Sequence, residues 1–405
     1  MSQYFWPENF KINDFAVHFA SKGYKVDVLT SIPNYPSGTF FDGYGIFSKK
    51  NEQYKGVSIN RVIVIPRGNA NKLRLFLNYI SYVISASIRI IKFKKKYDII
   101  FIYEPSPITV ALPAILLKKI KKIPIVFWVT DLWPESVIAA GNLKSKLIPN
   151  ILTHLVKYIY NKCDKILVTS NGFINSIVSK GIDKNKIEFF PQWAESFFKP
   201  AKSKNILPHQ LSSKKNFKIM FAGNIGESQD FNSIINAAKL LKRKKNIHWV
   251  IVGRGRKYKW VKDKVLEYKL QDCFHMIGSK PINEMPDLYS SADAMLLSLK
   301  NESIFSITIP AKLQTYLACG KPVLGMINGE AAKIINDNKA GYTCKAESPE
   351  SLADIVTKMS KLNKADINEI SNNALKCNIK YFDRNNLLDR AEKIFNETIS
   401  QDYKK

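Results

Sequence analysis

The sequence predicts an α/β protein of two tandem, doubly wound, Rossmann-like domains, and three observations predict it. Short β-branched runs alternate with helical patterns. The runs are apolar almost throughout, as strands covered on both faces are. The plan also occurs twice, on either side of an aperiodic stretch rich in Pro, Ser and Lys. With 405 residues, 45% of them hydrophobic, the chain is long enough for two full cores.

In the first half the strands are read at YKVDVLT (24–30), SINRVIVIP (58–66), YDIIFIYEP (97–105), IPIVFWVTD (123–131) and CDKILVTS (163–170), each bounded by turn residues. The longest apolar stretch, Leu75 to Ile91, is interrupted by Asn78 and Arg89 and falls short of the ~20 residues of a spanning helix, so it reads as a helix of the domain. In the second half the strands are FKIMFAG (217–223), IHWVIVGRG (247–255), CFHMIG (273–278), DAMLLSL (293–299) and KPVLGM (321–326). These readings give a first domain over 1–195, a linker over 196–215, a second domain over 216–380, and a C-terminal helix over 381–405 placed to cross back to the first domain. Tandem domains of this kind turn the carboxyl ends of two sheets toward one cleft, where such folds bind ligands.

The formal charge is +28, shared nearly equally between the halves. No zinc finger, RNP aromatic signature or basic-region helix accompanies it, so nucleic acid is not an expected partner. Solvated lysine-rich faces account for much of the excess. The placement of Lys72, Arg74, Arg89, Lys92, Lys94, Lys95 and Lys96 around an apolar helix carrying Leu75, Phe76 and Leu77, with Lys118, Lys119, Lys121 and Lys122 soon after, points to an anionic membrane surface. Five scattered cysteines without a Cys-x-x-Cys pair indicate neither a disulfide framework nor zinc, and favour the cytoplasm. Trp6, Pro7, Glu8 and Asn9 break any signal-peptide core, so export is not expected.

Strand ends of the second half carry what a phosphate ester needs. AGNIGESQD sets Gly223 and Gly226 in the turn after a strand, and VGRGRKY sets Arg254, Arg256 and Lys257 around two glycines. In IPAKLQTYLACGKP, Pro310 opens a helix, Gly320 closes it, and Lys312 stands in the first turn. There the helix dipole opposes a cation by about half a kcal/mol, unless an anion occupies that helix end. Lys312 is therefore expected to face a diphosphate; the bland alternative is a solvated surface lysine. In the first half, TDLWPES places Asp131, Pro134 and Glu135 after a strand. Asp131 is a candidate contact to a sugar or an acceptor hydroxyl, or else an ordinary N-cap, and Glu135 could orient the next helix. Pro33, Asn34, Tyr35 and Pro36 form a rigid turn.

Taken together, QYFWPENF, SIPNYPSG, VTDLWPES, KILVTSNGF, KIEFFPQW, AGNIGESQD, VGRG, IPAKLQTYLACGKPV and YFDRNNLLDRAEKIF resemble the GT-B glycosyltransferases of family 4, and within them the bacterial subgroup that adds N-acetylfucosamine or related amino sugars to O-antigen and capsule intermediates. The resemblance covers nearly the whole chain. It implies a retaining, metal-independent transferase with no cofactor. A nucleotide diphosphate sugar, UDP-linked, would bind the second domain through Gly223, Asn224, Gly226, Glu227, Arg254, Gly278, Lys312 and Thr315. Asp131, Arg254 and Lys312 would be catalytic, and Glu8, Asn9 and Glu135 would lie on the acceptor side. The acceptor would be a polyprenyl-diphosphate-linked saccharide, and the enzyme would be cytoplasmic and peripheral on the inner face of the cytoplasmic membrane.

Two departures stand out. Where the family usually carries two glutamates eight positions apart, this chain has Ile307 and Thr315, with Glu302 out of register to replace the second. Against the same family, MSQYF begins near the end of the first strand, with about five residues of a central strand not represented. A GT-B sugar-nucleotide epimerase is the alternative within enzymes, though PENF and DLWPES favour transfer. A catalytically impaired, basic membrane-binding protein on the same fold is the alternative outside them.

Overall fold

The computed structural model describes residues 1–402 apart from 49, 142–146, 202–206, 208–210, 212, 214 and 215, so most of the linker expected over 196–215 lies outside the described residues. The chain divides into two compact units, Met1–Phe190 with Asn385–Lys405, and Pro191–Arg384.

The first unit is built on β1 (Asp27–Ser31), β2 (Asn51–Tyr54), β3 (Val57–Val62), β4 (Ile100–Glu104), β5 (Ile125–Val129), β6 (Lys165–Val168) and β7 (Ile187–Phe189). Their order is β2-β3-β1 in one sheet and β4-β5-β6-β7 in another. All pairs are parallel except β2–β3, a hairpin closed by Lys55 and Gly56 at φ 47° and 83°. The sequence reading misses β2, which is polar on both faces, and β7, which is only three residues long.

Met1 to Gln3 run between the two sheets. Ser2 N–H donates to Leu29 O (3.2 Å) and Ser31 N–H to Gln3 O (3.1 Å) on one side; on the other, Tyr103 N–H donates to Met1 O (3.0 Å) and the Met1 amine to Phe101 O (2.5 Å). Beyond the amine, the gap between β1 and β4 is a cavity of about 990 Å³ whose lining includes Val28, Leu29, Phe101, Phe15 and Phe395. Burial pushes the amine's pKa down to about 5.

The last helix, Arg384–Asp402, belongs to this unit. Leu387, Leu388, Ala391 and Ile394 recur at helical spacing on its buried face. Phe395 lies 5.3 Å from both Phe19 and Phe101 between ring centroids, and Arg390 donates to Glu188 (2.9 Å) and to Phe189 O. The helix Lys72–Ile91 turns Asn78, Tyr82, Ala86 and Ile90 inward at steps of four. No helix among the described residues is long and apolar enough to cross a membrane.

The second unit is one parallel sheet of β8 (Phe217–Ala222), β9 (Ile247–Val252), β10 (Phe274–Gly278), β11 (Ala294–Ser298), β12 (Val323–Met326) and β13 (Gly341–Cys344). The order is β10-β9-β8-β11-β12-β13. The chain thus winds outward from β8 in one direction, crosses back to β11, and winds outward in the other. The reversal between β8 and β11 is a topological switch point, where the loops leaving the strands part and leave room for a ligand. Phe217, Ile219 and Phe221 of β8, with Trp249 and Ile251 of β9, form the core against Ile234, Val261 and Val356 of the covering helices.

Candidate functional site

At the carboxyl end of β8 the chain turns at Gly223, φ 140°. A Cβ there would stand 2.5 Å from Lys312 Cε, and one on Gly253 would stand 1.9 Å from the Gly223 carbonyl oxygen. Glycine is required at both positions because backbone and lysine occupy the space a side chain would need. Hydrogen bonds join the loops in series: Gly223 N–H to Val252 O (2.9 Å), Ile225 N–H to Arg254 O (2.9 Å) and Gly253 N–H to Gly278 O (2.8 Å).

Lys312 enters this loop cluster from the helix Ala311–Ala318, whose N-cap is Pro310. Its ammonium lies 4.2 Å from the Phe221 ring centroid and donates to Gln229 Oε1. No carboxylate pairs with it among the described residues, and burial lowers its pKa to about 7. A helix's first-turn N–H groups have no partner inside the helix. An anion seated there would meet those groups together with an amine that it would recharge.

The other donor-side candidates divide. Gly226 is buried in the loop, Asn224 is exposed, and Gly278 ends β10 at φ 74°. The Arg254 guanidinium lies 5.3 Å from the Tyr258 ring centroid. Glu227, expected to meet the donor, pairs with Lys257 (2.9 Å) and stands 3.8 Å from Lys300. Thr315 directs its hydroxyl to Lys312 O (2.9 Å), within its own helix. Gln229, which holds the lysine, is missed by sequence reading because nothing in GESQD sets it apart from its neighbours.

In the first unit, Asp131 follows β5. Its Oδ2 accepts from Trp133 Nε1 (3.3 Å), it is hydrogen-bonded to Ser106, and burial raises its pKa. Beside it stands a second carboxylate that sequence reading does not single out. Glu104, the last residue of β4, is fully buried; its Oε2 accepts from Asp131 N–H (3.4 Å), while Oε1 has no hydrogen-bond partner. Burial first, and then the Asp131 charge, hold Glu104 well above the usual carboxylate range.

Two acceptor-side candidates are engaged within the fold. Glu8 accepts from Asn34 N–H (2.9 Å), Tyr35 N–H (2.8 Å) and Phe5 N–H (3.3 Å), so it fastens the Pro33–Pro36 turn. Burial nevertheless pushes its pKa up to about 7. Glu135 accepts from Ser176 Oγ (2.6 Å) and Lys180 Nζ (2.5 Å), tying its helix to the helix Asn171–Ser179. Asn9 is exposed.

Two doubly wound units in one chain, the second with glycine-bearing loops gathered around Lys312 at its switch point, define the GT-B class of fold. Residues 12–193 match the family described as Glycosyltransferase Family 4, and residues 203–376 match Glycosyl transferases group 1. The chain belongs to these family 4, group 1 glycosyltransferases. It is 26% identical to WbjE, a probable glycosyltransferase of Pseudomonas aeruginosa, over 62% of this chain and 64% of that protein. It is 23% identical to WcaI of Escherichia coli K12, named as a putative colanic acid biosynthesis glycosyl transferase, over 74% of this chain and 75% of that one. Anabaena HepE, solved in complex with UDP, superposes with a TM-score of 0.67 at 13% identity, over 98% of each chain.

Proposed function

We propose that this chain transfers an amino sugar, of the N-acetylfucosamine type, from a UDP-linked donor to a polyprenyl-diphosphate-linked saccharide in surface-polysaccharide synthesis. The single observation that carries the reading is Lys312, a part-buried lysine at a helix N-terminus, paired with no carboxylate among the described residues and roofed by Gly223. The site is matched to a diphosphate. The relative named for colanic acid biosynthesis supports a polysaccharide product, and the UDP complex of HepE supports the nucleotide. The amino sugar rests on the sequence motifs alone.

In this reading the donor diphosphate lies against Lys312 and Arg254. As the acceptor hydroxyl oxygen bonds to the anomeric carbon, the bond from that carbon to the diphosphate oxygen breaks, and charge builds on the departing UDP. The preorganised cations stabilise that charge. Asp131, with Glu104 beside it, orients the acceptor hydroxyl, whose proton passes to the departing diphosphate oxygen, and configuration is retained without metal. The enzyme works at the anionic inner face of the cytoplasmic membrane, against which the helix Lys72–Ile91 is suited to lie.

The test offers a panel of nucleotide sugars with a lipid-linked N-acetylhexosamine and reads products by mass spectrometry. Acceptor gaining one amino-deoxyhexose from the UDP donor is expected. A donor altered without acceptor would favour epimerisation, and UDP binding without turnover of any donor would favour an impaired enzyme.

A further inference from the structure

Two arginines of the first unit stand six residues apart and are treated differently. The Arg61 side chain is fully buried, and its charge is matched: NH2 donates to Glu52 (2.6 Å) and to Trp6 O (2.7 Å). Arg67 has no such counterpart. Its guanidinium donates to the Tyr4 hydroxyl and lies 5.7 Å and 5.2 Å from the ring centroids of Tyr4 and Tyr35, and the Tyr79 hydroxyl is hydrogen-bonded to it as well. Every one of these partners is neutral, and no carboxylate pairs with Arg67 among the described residues.

The cation is held in place from several sides. Arg67 N–H donates to Asn34 Oδ1 (3.2 Å), and Asn34 is itself fixed through its N–H to Glu8. Tyr4 and Tyr35 pack on Phe10 at 5.1 and 5.4 Å. The QYFWPENF and PNYP motifs thus converge on this guanidinium. A fixed, half-buried fork of N–H donors, faced among the described residues by aromatic rings and hydroxyls, is matched to two oxygens of a phosphate or carboxylate.

A relay connects it to the candidate catalytic carboxylate. Tyr79 is hydrogen-bonded to Ser106 as well as to Arg67, and Ser106 to Asp131. Three hydrogen bonds in series span at most ~10 Å. An anion on Arg67 and a hydroxyl on Asp131 are therefore close enough to be bridged by one short piece of ligand.

We propose that Arg67, with Tyr4 and Tyr79, is the binding site for the acceptor's phosphate, and that the accepting sugar is the one attached directly to that phosphate. This rests on the transferase reading above and names the acceptor class for it: a lipid-linked monosaccharide diphosphate in preference to a longer chain.

The experiment uses the full chain with the donor site saturated by UDP, so that Lys312 does not compete for the probe. Binding of geranyl diphosphate and of inorganic phosphate is measured for the parent, Arg67→Lys, Arg67→Met and Tyr79→Phe. The parent is expected to bind the prenyl diphosphate, Arg67→Met to lose ~10-fold or more, and Arg67→Lys to recover part, the scale of a bidentate charged contact. UDP affinity, measured alongside, should stay at the parent value in every variant and reports folding. Inorganic phosphate binding as tightly as the prenyl diphosphate would overturn an acceptor site in favour of a free-anion site. In turnover, Arg67→Met should raise KM for the monosaccharide diphosphate ~10-fold while leaving KM for the same sugar on a neutral aglycone unchanged. Equal losses on both acceptors would overturn the proposal. If the parent transfers no sugar yet binds the prenyl diphosphate through Arg67, the transferase reading fails and this site stands.

Discussion

Lys312 is set two opposed tasks. Folding removes its amine from water with no carboxylate against it, and ligand binding needs it charged. Its folded pKa of about 7 lies below the ordinary 10.5, so between these values the unfolded chain binds more protons and stability rises with pH. That stability is complete above the unfolded value and is lost as pH falls toward the folded one. Lys312→Met should therefore stabilise the ligand-free protein by about 2 kcal/mol at pH 7.5 and flatten its pH profile, read by urea unfolding at pH 7.5 and 9.5. The same change should lower turnover ~100-fold, the scale of one preorganised contact to developing charge. A Met variant less stable than the parent, with the parent's pH dependence, would remove the buried-amine account. The amine also predicts a proton count. At pH 8 the empty site is mostly neutral, so UDP binding should take up about one proton, seen as a buffer-dependent heat in titration calorimetry and absent in Lys312→Met.

The helix Lys72–Ile91 shows what an element adds to its residues. Sequence reading picks Leu75, Phe76 and Leu77 as the membrane-facing group, yet Leu75 and Leu77 are half-buried. The exposed apolar positions are Leu73, Phe76, Ile80, Ile84, Ile88 and Ile91, a stripe at steps of three and four that runs the length of the helix opposite Tyr82 and Ala86. Such a stripe on a solvent face, flanked by lysines, suits partial insertion among headgroups. Lys95, though exposed, is already paired with Asp27 at 2.9 Å, which leaves Lys92, Lys94 and Lys96 as the exposed lysines at that end with no carboxylate paired to them among the described residues. Phe76→Ser with Ile84→Ser should abolish flotation on anionic vesicles at any salt. Lys94→Glu with Lys96→Glu should remove only the salt-sensitive part, about 1 kcal/mol for each charge lost. Flotation of both variants at the parent level would leave this helix without a membrane role.

Across the whole molecule, what was legible in the sequence is what local chemistry marks. Central strands announce themselves as apolar runs, and Gly223 with Lys312 marks a candidate anion loop because a glycine follows a strand end and a cation stands where it does not help a helix. Gln229, Glu104 and Arg67 carry no such mark, since each takes its meaning from residues far off in the chain: Lys312, Asp131 and Tyr4. The sequence reading already places the last helix to cross back to the first domain. Its apolar stripe is evident, but its partners Phe15, Phe19, Phe101 and Glu188 are set only by tertiary packing. Because these partners all lie in the first unit, the helix Arg384–Asp402 should stabilise that unit alone. Phe395→Ala should cost about 2 kcal/mol, less than the ~3–5 of a fully buried phenylalanine, because the ring is half-buried. Ending the chain at residue 383 should speed amide exchange in β1, β4 and β7 while leaving β8, β9 and UDP affinity as they were. Faster exchange through β8 and β9, with UDP binding lost in step, would show instead that the second unit leans on this helix for its own stability.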